Sequence, residues 1–320
     1  MKPIVGILGN FQAPWCTECE LAWTFNHLGF EVLKFQENEV RTQEIFATMS
    51  QIESALLVYI HTHGWSTPGS FSVEELIQKL RDAKIKTCSF HLDRYWGLNR
   101  ADGREDRVGK HPFFKTDFVF TADGGNQERF QARGVNHYWL PPAVVERDCY
   151  KGKFDPRFAC DVAFVGQKTY HPEYPFRGEL VNWLHHTYGL QFRHFPEGPA
   201  VRGAQLNDLY ASVKVVVGDS CFAGAPYYWS DRIFETIGRG GFIIHPRTLG
   251  LDIPFLPVFE PGNLADLKEK IDYWLMFEDE REEWRTIAYY DVKKNHTYTN
   301  RVRQILSIMG IECQAQTASL

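Results

Sequence analysis

A doubly wound α/β fold, built twice along one chain, is what this sequence predicts, and three observations predict it. Short apolar runs alternate with helix-patterned segments over most of the length, the grammar of βα units. The runs at 213–217 and 242–244 lack polar alternation, as strands covered by helices on both faces do. Pro141-Pro142 opens a polar stretch to residue 158 that follows neither periodicity, and proline fixes φ and removes a backbone donor, so the domain break belongs there. A chain of 320 residues is long enough for two such cores.

The first domain reads as follows. Residues 4–8 form a buried strand that Gly9-Asn10 turns into a loop, and a helix over 17–28 closes at Gly29. Strand 31–35, helix 42–53 and strand 55–60 come next, the last ending in His61-Thr62-His63-Gly64-Trp65. Helix 73–83 precedes strand 87–91, which runs into Leu92-Asp93-Arg94-Tyr95-Trp96-Gly97. After a long polar loop come strand 117–121, helix 125–133 and strand 137–140.

The second series starts with strand 161–165, ending at Gly166-Gln167-Lys168, and continues through helix 177–186, strand 191–194 and helix 205–212. Strand 213–217, a loop, a helix capped by Ser230 and strand 242–244 form its centre. On that helix Ile233, Phe234 and Ile237 are spaced to face the sheet, while Arg232, Glu235, Thr236 and Arg239 share the opposite face. Helices over 264–277, 280–293 and 297–309 follow, and the tail 311–320 has no pattern and is expected to fray.

Composition narrows the function classes. The chain is 44% hydrophobic and 23% charged with a formal charge of −5, a soluble globular balance that gives no prior for nucleic acid, although a local basic patch remains open. The start, MKPIVGILGN, is interrupted by Gly9 and Asn10 too soon for a signal sequence, and no apolar run reaches membrane-spanning length, so a cytoplasmic location without a membrane span is expected. Seven cysteines without regular spacing argue against a disulfide framework. Cys16-Thr17-Glu18-Cys19 has the form of a thioredoxin redox site, yet loop and helix-start packing is the expected role, and no second pair completes a zinc site.

A helix aimed at the carboxyl ends of parallel strands, with Arg232 in its first turn, is a place for an anion. Here the residues meet a family. SDRIFETIGRGGFIIHPRTLGLD, followed by HTYTNRVRQIL, resembles the C-terminal domain of group 1 glycosyltransferases, in particular the spore-maturation branch. That branch is similar in its strand ending Phe164-Val165-Gly166, its helix-opening Arg177, its R-x-F-E core of Arg232, Phe234 and Glu235, and its H-T-Y-x-x-R helix. The similarity covers about 160–306; the first half matches only in general plan.

The resemblance implies a GT-B architecture: two Rossmann-like domains facing across a cleft. Residues 1–150 would be the acceptor side, rejoined by the last helix at about 297–310, and 151–296 would bind a nucleotide sugar. It implies no metal and no cofactor, only a nucleoside-diphosphate sugar as co-substrate, a UDP-sugar such as UDP-glucose first. Glu235 would take the donor ribose hydroxyls, and Lys168, Arg232 and the amides around Ser230 the diphosphate, with Arg177 and Gly9 as further donor-side candidates. Related enzymes carry a second glutamate where this sequence has Tyr227, which leaves the sugar and the stereochemical outcome open.

On the acceptor side, Asp93 is favoured over His63 as a catalytic base, because it follows a buried strand and leads into an aromatic loop. His61, Trp65, Tyr95, Trp96, Arg100 and Arg104 are the candidate acceptor contacts. The segment 94–115 holds six basic residues against three acidic ones, interleaved with Tyr95, Trp96, Phe113 and Phe114. Charge with stacking rings suits a nucleic-acid backbone and an unstacked base. Compact GT-B enzymes of phage type glycosylate hydroxymethylated DNA bases, so a modified pyrimidine in DNA is one expected acceptor, with the host cytoplasm as the location if the chain is phage-encoded. A glycan or cell-envelope polymer, or a small molecule, is the alternative. A non-catalytic nucleotide-sugar-binding module is the competing class.

Overall fold

In a computed structural model, the chain is described over residues 2–52, 56–97, 104–168, 174–195, 200–220 and 225–312. Two compact units divide it, one comprising Met1–Pro141 with Tyr298–Leu320 and the other Pro142–Thr297.

The first unit is a six-stranded sheet of β1 (Ile4–Gly9), β2 (Glu31–Gln36), β3 (Leu56–Tyr59), β4 (Lys86–His91), β5 (Phe118–Thr121) and β6 (His137–Trp139), in the order β2-β1-β3-β4-β5-β6. Every pairing is parallel. Parallel strands deliver all their carboxyl ends to one edge, so the loops after Gly9, Gln36, Tyr59, His91 and Thr121 collect there. Helices α1 (Thr17–His27), α2 (Thr42–Met49), α3 (Val73–Asp82), the single turn α4 (Arg104–Arg107) and α5 (Gln127–Gln131) make the crossovers. The sequence had extended α2 to 53 and read all of 94–115 as loop, whereas α4 and a 3-10 turn at Pro112–Lys115 lie inside it.

Local chemistry starts these helices. The Glu75 amide donates to Ser72 Oγ at 3.1 Å while the Ser72 amide donates to Glu75 Oε2 at 2.7 Å, a reciprocal box that satisfies two otherwise orphaned donors of α3. Cys16 does the same for α1, its sulfur accepting from the Cys19 amide at 3.4 Å. Its thiol donates to the Asn10 carbonyl at 2.9 Å, and burial pushes its pKa up, the opposite of what an attacking thiolate needs.

The second unit is a five-stranded parallel sheet of β7 (Cys160–Val165), β8 (Phe192–Phe195), β9 (Val213–Val217), β10 (Ile243–Pro246) and β11 (Val258–Phe259), in the order β11-β10-β9-β7-β8. The two-residue β11 is too short to leave a periodic signal and was not anticipated. Helices α6 (Arg177–Tyr188), α7 (Ala204–Ser212), α8 (Asp231–Gly238), α9 (Leu264–Met276) and α10 (Glu278–Asn295) accompany it. The core takes Val162, Phe164, Val215, Val217 and Ile244 from the sheet and Leu184, Leu267 and Ile271 from the helices, all fully buried. Helix α11 (Tyr298–Ile308) returns to the first unit, where Tyr298 meets Phe90 edge-on at 6.5 Å and Arg301 Nε donates to the Pro141 carbonyl at 2.8 Å.

On α8, Ile233, Phe234 and Ile237 are buried as spaced, but Thr236 and Arg239 are buried too, which corrects the expectation of a single polar face. Arg239 is inside because it is saturated: Glu235 Oε2 and Asn207 Oδ1 each accept at 2.6 Å and Asp148 Oδ2 at 3.0 Å. Asn207 in turn donates to the carbonyls of Asp148 and Tyr150. These bonds tie residues 142–150, read from sequence with the first domain, into the second unit.

Candidate functional site

Two clusters of polar side chains occupy strand carboxyl ends, one in each unit. In the second unit, Asp219 follows β9 and receives two guanidinium groups. Arg177, at the start of α6, donates from Nε at 2.6 Å and Nη2 at 3.3 Å, and Arg232, in the first turn of α8, donates from Nη1 to Asp219 Oδ1. Arg232 Nε also donates to the Val165 carbonyl at 2.7 Å, and both guanidiniums lie over the Phe164 ring. Gly166, at φ +138°, is needed beneath them, since a Cβ there would come within 2.5 Å of Arg232 Nη2. Burial is the largest single influence on Arg232 and opposes its charge, but the carboxylates of Asp219 and Asp231 together with nearby tyrosines hold the group above its ordinary value. Two cations share one anion, so the cluster keeps a surplus positive charge beside two helix N-termini.

Ser230 caps α8, its Oγ accepting from the Arg232 amide at 3.4 Å. Lys168 leans on Asn182 instead, Nζ to Oδ1 at 2.6 Å. Glu235 gives one carboxylate oxygen to Arg239, and burial lifts its pKa against that pull. Tyr227 has φ +54°, a left-handed strain on a bulky residue, and its ring presses on Gly250. Beside the arginine cluster a cavity is lined by Tyr174, Phe176, Arg177, Asp219, Ser220 and Pro246 among others. Among the described residues the buried Ser220 hydroxyl has no hydrogen-bond partner, and an orphan of that kind calls for a ligand or water.

The first unit gathers His61, His63, His91, His111, Tyr95, Arg104 and Arg107 around a pocket. Its organiser is Glu37, just beyond β2, which has no exposed surface. Glu37 Oε1 accepts from Tyr59 Oη at 3.0 Å and lies 2.7 Å from His61 Nδ1, while Oε2 accepts from the Thr62 amide at 2.7 Å. A carboxylate only accepts, so His61 carries its proton on Nδ1 and leaves the Nε2 lone pair available. His111 is set the opposite way. Its Nδ1 accepts from the Phe113 amide at 3.2 Å, which puts the ring proton on Nε2, and its ring lies 4.4 Å from that of His61. Burial first, then the neighbouring titratable His61 ring and the Arg107 charge, pushes His111 down to about 4, so it is neutral at pH 7.

The other candidates find different surroundings. Asp93 does not pair with Arg94; it receives Arg104 Nη1 at 2.6 Å, with His91 Nε2 3.8 Å away. An ion pair of that kind stabilises the carboxylate and weakens it as a base. His63 is exposed, with Nδ1 3.3 Å from Arg107 Nη1. Trp65 is half-buried in the same loop, its amide donating to the Thr62 carbonyl at 3.0 Å. Arg100 lies outside the described residues. Gly9 lies in the first unit, whereas the other donor-side candidates belong to the second; its carbonyl accepts from the Glu37 amide, and a Cβ would strike Glu18.

The aromatic loop is where the sequence reading needs correcting. Tyr95, Trp96, Phe113 and Phe114 are all buried in the core rather than displayed. Buried Asp123, after β5, explains why: its Oδ2 accepts from the Tyr95 and Trp96 amides at 2.9 Å each, pulling that backbone inward. Trp96 is then edge-on to Phe130 and roofed by Arg133, while the Tyr95 hydroxyl reaches His91 Nδ1 at 3.0 Å. Arg104 is buried as well. Among the described residues no three His, Cys, Asp or Glu side chains group as a metal site, and no helix is long and apolar enough to cross a membrane.

Residues 158–307, just under half of the chain, match the family described as glycosyl transferase-like. Among solved structures, an alpha-glucosyltransferase in complex with UDP and a 13-mer DNA containing a HMU base is similar at 9% identity and TM-score 0.64, over 97% of this chain and 100% of that one. Anabaena HepE in complex with UDP and glucose is similar at 11% identity and TM-score 0.61, over 96% and 99%. The Candida albicans trehalose-6-phosphate phosphatase N-terminal domain is similar at 9% identity and TM-score 0.59, over 97% of each chain. No curated protein matches the sequence. At such identities the likeness is one of fold, and the fold is GT-B, with two Rossmann-like domains.

Proposed function

We propose that the chain is a glycosyltransferase that moves a hexose from a UDP-sugar, UDP-glucose first, to an acceptor hydroxyl, with residues 142–297 holding the donor and the first unit the acceptor. The observation that carries the donor assignment is the pair of arginines on one carboxylate: Arg177 and Arg232 keep a net positive charge at the ends of β7 and β9, where a diphosphate leaving group gains most from it. Glu235 keeps one oxygen free of Arg239 for ribose hydroxyls, and the orphan hydroxyl of Ser220 suits the hexose. Similar folds described in complex with UDP or UDP-glucose support the choice of nucleotide.

On the acceptor side His61, rather than Asp93 or His63, takes the hydrogen bond of the hydroxyl that attacks, because Glu37 fixes its tautomer with Nε2 open. Two acceptors are in view. A hydroxymethylated pyrimidine in DNA is supported by the similar structure described with DNA containing a HMU base. A glycan or small hydroxylated molecule is favoured by the burial of Tyr95, Trp96, Phe113 and Phe114, which removes the platform on which an extruded base would stack.

The test is direct. UDP and UDP-glucose should raise the melting temperature where other nucleoside diphosphates do so less. Donor consumption should then accelerate on adding either hydroxymethylated DNA or a hydroxylated oligosaccharide, which identifies the acceptor. Binding of UDP without turnover on any acceptor would leave a nucleotide-sugar-binding module instead.

A further inference from the structure

The pocket in the first unit contains more than a site for a hydroxyl. Arg104 is neutralised by Asp93, and Glu37 faces His61, but Arg107 has no carboxylate within reach among the described residues; its polar partner is His63 Nδ1 at 3.3 Å. Arg107 is half-buried on the turn α4, so its charge is only partly screened by solvent. It lines the same pocket as His61 and His111, and its charge helps hold His111 neutral. The polarity of the wall is therefore asymmetric. One ring nitrogen, His61 Nε2, accepts; His111 Nε2–H and the Arg107 guanidinium donate, one of them with full charge.

We infer that the acceptor carries an anionic oxygen group, a phosphate ester, close to the hydroxyl that is glycosylated, and that Arg107 with His111 and His63 binds it. This rests on the transferase reading above and deepens it. A neutral polyol would leave the Arg107 charge uncompensated in a partly dehydrated pocket, whereas a phosphate oxygen matches both the fork of the guanidinium and the adjacent imidazole donor. The neutral state of His111 fits the same role, because a neutral Nε2–H donates to an anion without first having to gain a proton. The phosphate has two sources, a phosphomonoester on a small sugar or the diester of a nucleic-acid backbone, and the recognition chemistry is common to both.

The experiment uses the whole chain and three probes. Inorganic phosphate and UDP are each followed by thermal shift and by titration, in the parent protein and in Arg107→Gln, with His63→Gln as a second variant should the first fold poorly. Phosphate affinity is expected to fall about tenfold or more in Arg107→Gln while the UDP response stays unchanged. Initial rates with UDP-glucose are then compared for a hexose 6-phosphate against the parent hexose, and for a hydroxymethylated oligonucleotide against its nucleoside. A phosphate-dependent gain that Arg107→Gln abolishes supports the inference, and the pair that shows it identifies the source. Unchanged phosphate affinity in both variants, or equal rates with and without the phosphate in both pairs, overturns it. A parent protein that fails to bind UDP overturns the donor reading instead, and the phosphate titration still stands on its own.

Discussion

Replacing Glu37 by glutamine should silence the proposed proton acceptor without touching the donor site. The glutamate is fully buried and makes three contacts: the Tyr59 hydroxyl at 3.0 Å, His61 Nδ1 at 2.7 Å and the Thr62 amide at 2.7 Å. All three rely on an acceptor, and an amide has only one accepting atom. If the amide oxygen faces Thr62, its NH2 faces His61, Nδ1 must accept, and the proton moves to Nε2, the wrong side. If the oxygen faces His61, the NH2 opposes the Thr62 N–H and leaves a buried donor unmatched, at about 1–3 kcal/mol. Either way the productive tautomer is lost or destabilised, and a positioned base is worth about 10²–10⁴ in rate. The expected result is a fall in kcat of roughly 10² or more, an altered pH–rate profile, and donor KM and UDP affinity unchanged. Tyr59→Phe removes a hydrogen bond from the same carboxylate without inverting the imidazole, so its kcat should change little. If Glu37→Gln keeps kcat within about twofold and the pH profile is superimposable, His61 does not act through that tautomer.

Other outcomes follow from the same geometry. Glu235→Ala should weaken UDP binding by about 1–3 kcal/mol in calorimetry, and unchanged affinity would remove Glu235 from the donor site. Asp219→Ala leaves two buried guanidiniums facing one another and should lower stability by about 3–5 kcal/mol in urea melts, partly recovered by excess UDP; a fully stable variant would contradict the shared-carboxylate arrangement. Burial pushes His137 down to about 3 and His245 to about 4, and burial with its charged neighbours pushes His111 to about 4. Folded values below the unfolded value of about 6.5 mean that the unfolded chain binds more protons as pH falls. Their contribution is therefore complete above about pH 6.5 and declines below it, by up to about 1.4 kcal/mol per pH unit for each ring. Melting temperatures should drop between pH 6.5 and 5, and a flat profile would count against the burial of these rings. Cys16→Ser with Cys19→Ser should retain activity, since serine caps α1 as well as the thiol does; loss of turnover would revive the redox reading.

What was legible in the sequence was whatever local pattern determines. Unalternated runs such as 213–217 announce a covered parallel strand, and Ser230 with the R-x-F-E core announces α8, because each signal lies within one turn or one strand of its consequence. Glu37 was not legible. It sits in a polar stretch after β2, and its meaning arises only when parallel pairing of β1 with β2 and of β1 with β3 carries it beside Tyr59 and His61. A rule that a carboxylate just past a buried strand deserves the same scrutiny as a histidine would have flagged it. The aromatic loop misled for the converse reason: interleaved charges and rings look the same in sequence whether the rings face water or the core. The choice was made by Asp123, at the end of a different strand, through two backbone hydrogen bonds.

The charge balance follows the same logic. A formal charge of −5 says nothing about where anions bind, because binding depends on which cations lack partners. In the second unit Arg177 and Arg232 compete for Asp219, and in the first Arg107 has no carboxylate partner among the described residues once Arg104 takes Asp93. Each surplus stands at a strand carboxyl end, beside groups able to hold a hydroxylated ligand: Ser220 in one unit, His61 in the other. A donor that leaves as a diphosphate and an acceptor that carries a phosphate would satisfy one surplus each. Adding salt should then weaken both ligands, and Arg107→Gln should flatten the salt dependence of the acceptor alone. A parallel flattening for UDP would mean that the two surpluses serve a single ligand, and the division of labour between the units would have to be redrawn.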